Sequence, residues 1–81
     1  MRITYSTHSD SPLVNRREAF AVLAGMGSIR VNGPGGTALV YWGHDKLVVS
    51  AGDYTPIGRV EGMAEAMELA EAFAENGKVT P

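Results

Sequence analysis

The residues from Ser28 to Ala51 constrain this chain more than any other part of it. Three short runs there alternate with the period of strands. Ser28 to Asn32 places Ile29 and Val31 on one side, Thr37 to Trp42 is rich in branched and aromatic residues, and Lys46 to Ala51 repeats that character. Only Gly33-Pro34-Gly35-Gly36 and Gly43-His44-Asp45 separate them. Parallel pairing needs a crossover of about a dozen residues or more, so these connections force neighbouring runs to pair antiparallel. The centre of the chain is expected to be a three-stranded meander.

The flanks add one strand and two helices. Arg2 to Thr7 alternates, with Ile3 and Tyr5 on one side and Arg2, Thr4 and Ser6 on the other. Ser9, Asp10, Ser11 and Pro12 break that run. Asn15, with Glu18 three residues later, has the form of a helix N-cap and its partner. Ala19, Phe20, Val22, Leu23 and Met26 then mark an apolar helical face, with Gly25 and Gly27 suited to ending it. Gly52 to Gly58, containing Pro56, reads as a loop. Arg59 to Asn76 reads as a second helix closed by Asn76-Gly77, and Lys78 to Pro81 as a frayed tail. The expected order is β-α-β-β-β-α. The expected fold class is α+β, a two-layer sandwich in which an antiparallel sheet of about four strands carries both helices on one face. The first strand joins one edge of the sheet, and the sequence leaves open which.

Eighty-one residues make a single domain, 1–81, with a small core. The chain has no cysteine, so packing alone must hold it. Its polar start lacks an apolar signal core, and no apolar run nears the roughly 20 residues that cross a bilayer. A soluble, cytoplasmic protein without a membrane partner is expected. The net charge of −2 gives no general attraction to nucleic acid.

The charge is nevertheless segregated. Glu61, Glu65, Glu68, Glu71 and Glu75 recur in EGMAEAMELAEAFAE with no lysine or arginine between them. At 100° per residue they occupy an arc of about 120°, opposite Met63, Ala66, Met67, Leu69, Ala70, Phe73 and Ala74. From Arg59 to Lys78 the net charge is −3, and over the remainder it is +1. Exposed helices usually mix signs, because like charges four residues apart destabilise. The stripe is either the solvated back of a packed helix or a surface for a basic partner. With one charge per roughly 5 Å of axis it is too sparse to imitate duplex DNA, which carries one per about 1.7 Å.

Other motifs are less telling. Asn32-Gly33-Pro34-Gly35-Gly36-Thr37 is glycine-rich, but it leads into a strand rather than a helix, so a hairpin turn is expected in place of a phosphate loop. The order helix, three strands, helix over Asn15 to Asn76, with Gly33-Pro34 in the first hairpin, resembles the double-stranded-RNA-binding domain. That family grips phosphates with lysines at the start of the last helix. This chain has Gly58-Arg59-Val60-Glu61-Gly62-Met63-Ala64-Glu65 there, so direct nucleic-acid binding is not expected. His8 with Asp10, and His44 with Asp45, lie in expected turns, where such side chains bond locally. No nucleophile elbow surrounds any serine. The expectation is a non-enzymatic protein with no catalytic residue, no metal and no cofactor.

The middle strands offer a second candidate surface. Ala38, Val40 and Trp42 face opposite to Leu39 and Tyr41, and Leu47, Val49 and Ala51 opposite to Val48 and Ser50. Both sides are thus partly apolar. If helices cover one face only, Leu39, Tyr41, Trp42 and Val48 supply a patch for a partner or a homodimer. The alternative is that these strands are buried on both sides.

In size, absence of cysteine, layout and the glutamates at 61, 65, 68, 71 and 75, the chain resembles the anti-CRISPR proteins of phages and mobile elements. These small inhibitors commonly cover basic nucleic-acid-binding surfaces of effector complexes. The resemblance implies a protein-binding inhibitor that pairs its glutamates with a basic surface on a larger protein or nucleoprotein, in the cytoplasm of a host cell. The other expectation is a small homodimeric structural or regulatory protein of phage or bacterial origin, its glutamates serving solubility.

Overall fold

The computed structural model describes residues 3–77. Six strands and two helices follow in the order β1 (Thr4–Thr7), β2 (Pro12–Leu13), α1 (Arg16–Ala24), β3 (Ile29–Gly33), β4 (Gly36–Gly43), β5 (Lys46–Ala51), β6 (Pro56–Val60) and α2 (Met63–Asn76). The strands form one sheet of order β2-β1-β3-β4-β5-β6, antiparallel throughout. The meander forms as expected; β1 joins it beside β3, and β2 beyond β1 takes that edge of the sheet.

The expectation of about four strands is corrected to six. β2 has only two residues, too few to show alternation, and it exists because Leu13 and Pro12 pair with Tyr5 and Ser6. β6 contains Pro56 and Gly58, residue types depleted in strands. An edge position tolerates both, since an edge strand needs backbone partners on one side only. A bulge between Val49 and Ser50 absorbs the irregular pairing with β6. The second helix is correspondingly shorter than expected. Arg59 and Val60 belong to β6, Glu61 lies in a bend, and α2 begins at Met63 behind an N-cap glycine, Gly62, that offers no side-chain bond. Arg2, expected in the first strand, and the expected tail at 78–81 lie outside the described residues.

Helix α1 starts as its sequence predicts. The Asn15 side chain accepts the Glu18 N–H at 3.1 Å, while Glu18 Oε1 accepts the Val14 N–H at 2.8 Å. The helix ends at Gly25, and the left-handed turn that follows is made by Met26, which is exposed rather than packed on the apolar face.

Both helices cover the same side of the sheet. Ala19 and Leu23 of α1 and Ala66, Met67, Ala70 and Ala74 of α2 join Tyr5, Ile29, Val31, Ala38, Val40, Leu47 and Val49 in one buried cluster. The registers Tyr5↔Val31↔Ala38 and Ile29↔Val40↔Val49 place these strand residues on one face. Three alanines among the four buried α2 residues let the helix approach the sheet closely. The Gly33–Gly36 hairpin continues that approach. Gly35 donates its N–H to Ala74 O at 2.7 Å, and a β-carbon at Gly33 or Gly35 would overlap the backbone of Ala74 or of Asn76–Gly77. The glycine-rich run is therefore a turn that docks the C-terminal end of α2, which Gly77 closes in the left-handed conformation at φ 78°.

Candidate functional site

The side of the sheet away from the helices is open. Its side chains follow from the register: Ser6, Arg30, Leu39 and Ser50 stand in one cross-strand row, and Tyr41, Val48 and Arg59 in the next. Thr4, Asn32 and Thr37 form a third row. The side is apolar at its centre and polar or cationic around it.

Tyr41 shapes the centre. Its hydroxyl lies 3.1 Å from Ser50 Oγ, diagonally across β4 and β5. A tyrosine can reach that short side chain only with its ring laid along the sheet. Leu39, the neighbour of both residues, is consequently only 3% exposed although no helix covers it. Tyr54 adds a second ring, edge-on to Tyr41 with centroids 6.4 Å apart, and it is 57% exposed. Its turn is well fastened. Tyr54 N–H donates to Ala51 O at 2.8 Å, Ala51 N–H to Thr55 O at 2.8 Å, and Thr55 N–H to Asp53 Oδ1 at 3.0 Å. Hydrogen bonds from the Thr55 side chain and backbone hold the Asp53 carboxyl below its usual range. Tyr54 itself has a left-handed backbone, φ 67°, uncommon for a bulky residue.

The polar surround is partly self-satisfied. Asn32 Nδ2 donates to Ser6 Oγ at 3.3 Å, and Thr37 Oγ1 donates to Asn32 Oδ1 at 3.0 Å. Arg30 Nε is buried without a hydrogen-bond partner among the described residues. Arg59 is exposed at the far end of the second row.

The sequence-predicted patch is therefore assembled only in part. Leu39, Tyr41 and Val48 come together on the open side. Trp42 does not join them, because it points to the helix side and donates Nε1–H to Leu23 O at 2.9 Å, tying α1 to β4. Tyr54 was not foreseen in the patch. Its signal was a large aromatic in a Gly-Asp-Tyr-Thr-Pro turn, where no packing pattern accounts for it.

The five-glutamate stripe is divided. Glu61 precedes α2 and lies 3.4 Å from Lys46 Nζ, at the rim of the open side. Glu71 turns inward. Arg16 grips it with Nε at 2.9 Å and Nη2 at 3.2 Å, and the Tyr5 hydroxyl donates to the same carboxylate. Arg16 also lies 5.1 Å from the centre of the Phe20 ring. Burial, then the bond to Glu71 and its negative charge, push the Tyr5 phenol up to about 12. Glu71 thus joins α1, β1 and α2. Glu65, Glu68 and Glu75 remain exposed on α2, with no ion pair or hydrogen bond among the described residues.

A hollow of about 340 Å³ opens between β1, β2 and the start of α1, walled by Ile3, Tyr5, Leu13 and Val14. The charged group at its margin, Arg16, is already engaged by Glu71. Among the described residues, no three His, Asp or Glu side chains gather to hold a metal ion, and no helix is long and apolar enough to cross a membrane. Asp10 and His44 occupy left-handed turn positions, φ 73° and 59°. Compared with protein-family models, curated proteins and solved structures, the chain matches none.

Proposed function

We propose that this chain is a non-enzymatic protein-binding module that acts by covering a surface of a larger protein, and that the open side of the sheet is its principal contact. One observation carries this reading: the helices cover one side of the sheet only, leaving Leu39, Tyr41, Val48 and Tyr54 between Arg30 and Arg59 on the other. Tyrosine and arginine around a small apolar centre are the side chains enriched in protein interfaces and their energetic hot spots. The laid-down ring of Tyr41 and the fastened turn under Tyr54 present that surface preformed, which reduces the ordering cost of binding.

The experiment is affinity capture from cells of the source, comparing wild type with Tyr41→Ala/Tyr54→Ala and with Arg59→Glu. A partner held by wild type and lost from both face variants, each folded by circular dichroism, supports the proposal. Retention by both would remove the open side from the contact.

The unpaired row Glu65, Glu68 and Glu75 favours a second contact, with a basic protein surface, as in the anti-CRISPR-like format. It predicts strong salt dependence and loss of binding on reversing the three to lysine, with Arg59→Glu having little effect.

A further inference from the structure

The two unpartnered surfaces lie on opposite sides of a two-layer molecule, and their charges are of opposite sign. The open side of the sheet carries Arg30 and Arg59, while its Lys46 is paired with Glu61 at the rim. The outward side of α2 carries Glu65, Glu68 and Glu75. Their spacings agree. Arg30 on β3 and Arg59 on β6 are three strand intervals apart and one two-residue repeat offset, about 16 Å between backbones. Glu65 and Glu75 are ten residues apart on one helix, about 15 Å along its axis, and with Glu68 they fall within roughly 80° of its circumference.

The middle of each surface matches as well. Between the arginines lie Tyr41, with Leu39 buried beneath it, and Val48, with Tyr54 edge-on to the Tyr41 ring. Between Glu68 and Glu75, on the same side of α2, stands Ala72, a small residue that leaves room for a ring. The sheet face, six strands wide and up to eight residues long, offers about 600 Å². A standard stable interface buries roughly 800 Å² per partner, so this contact belongs with weak, concentration-dependent ones.

We propose that, while no larger partner holds it, the open sheet face is occupied by a second copy of this chain, docked through α2, with Arg30 and Arg59 of one copy facing Glu65, Glu68 and Glu75 of the next. The contact joins unlike surfaces, so each copy keeps one free surface and the assembly grows head to tail. A symmetric dimer through two sheet faces would instead bring Arg30 and Arg59 against their own kind, which the like-charge cost disfavours. This inference rests on the open side being a protein-binding surface, the reading proposed above.

Sedimentation and light scattering on the purified chain test it. At low ionic strength the average mass rises with concentration, and at high ionic strength it returns to that of one chain. Glu65→Arg/Glu75→Arg, at exposed positions, weakens self-association by about tenfold or more, and Arg30→Glu/Arg59→Glu does the same. Mixing these two variants restores head-to-tail growth in alternation, because native α2 meets native sheet face at one junction and the two reversed surfaces meet at the next. The fourfold reversal restores self-association. If Arg30→Glu destabilises the fold, Arg59→Glu alone, at an exposed position, takes its place in each arm. A chain that stays monomeric at high concentration and low ionic strength overturns the proposal, as does a dimer insensitive to the α2 reversals. Either result leaves the protein-binding reading standing if partner capture still depends on Tyr41 and Tyr54, and loss of that dependence overturns the reading separately.

Discussion

The two sides of the sheet are built from the same strands, yet they answer to different demands. On the inner side Val31, Ala38, Val40, Leu47 and Val49 are fully buried against two helices. On the outer side the alternate residues are Arg30, Asn32, Thr37, Leu39, Tyr41, Val48 and Ser50, most only half-buried, with Thr37 bonded to Asn32 and Tyr41 to Ser50. The inner side is a jigsaw of apolar groups whose polar tips, the Tyr5 hydroxyl and the Trp42 indole N–H, are both bonded. The outer side holds its order through a ring laid flat and through hydroxyl and amide bonds. Stability therefore belongs mainly to the inner side, and recognition is left to the outer one. That division can be broken by substitution.

The sharpest test is Met67, wholly buried on α2. Met67→Ala is expected to cost about 2–5 kcal/mol through lost transfer energy and the cavity left behind. In a small domain whose total stability is of order 5–15 kcal/mol, that is a large fraction, and urea denaturation would show it as a fall in midpoint. Gly35→Ala follows. A methyl group there meets the backbone of Asn76 and Gly77, so the hairpin and the end of α2 must separate, at roughly 1–3 kcal/mol. Gly52→Ala is its control. The added carbon finds ordinary contacts no closer than 3.5 Å, and the change is expected to be neutral or slightly stabilising.

The inner side was far more legible in the sequence than the outer. Period-two alternation named Ile29 and Val31 and grouped Ala38 with Val40 and Leu47 with Val49, and the helical period named Ala66, Met67, Ala70 and Phe73, because burial is what periodicity encodes. β6 escaped because its place depends on an edge and a bulge, both consequences of tertiary pairing. Its proline and glycine argue locally for a loop. Glu71 escaped for a similar reason. By period it belongs with the solvent-facing glutamates, but Arg16 and Tyr5, distant in sequence, draw it in. Tyr54 met Tyr41 only because the β5–β6 turn folds over the open side. Contacts between residues far apart in the chain leave no periodic trace.

Tyr5 stands on the inner side but carries its one charged bond, so it tests where the division is least clean. Tyr5→Phe removes the donor to Glu71 at roughly 1–2 kcal/mol, kept moderate because Glu71 retains some contact with solvent. The pH dependence has a definite sign. The folded phenol is held up to about 12, whereas an unfolded tyrosine titrates near about 10. The folded state thus keeps a proton that the unfolded state loses. The contribution is fully present below about pH 10 and lost as pH rises toward about 12. Wild type should lose stability across that window in denaturant titrations, and Tyr5→Phe should lose less. Equal slopes would mean that the Tyr5–Glu71 bond does not link α2 to β1 in solution.

The smallest effects are expected on the outer side, and their smallness is what the comparison requires. Val48→Thr and Arg59→Ala lie where no helix packs, and each should change stability by no more than about 0.5–1 kcal/mol in urea denaturation. Val48 contributes half-buried apolar area between Tyr41 and Arg59, and Thr keeps its branched shape and strand preference. Arg59 is exposed, so its truncation leaves no buried group without a partner. A loss above about 2 kcal/mol at either position is the scale reserved for buried packing or broken networks. Such a loss would make the outer side a second core, and a partner or second copy would then have no free surface to occupy there. Near-neutral stability combined with weakened association would instead separate folding from recognition on opposite sides of one sheet.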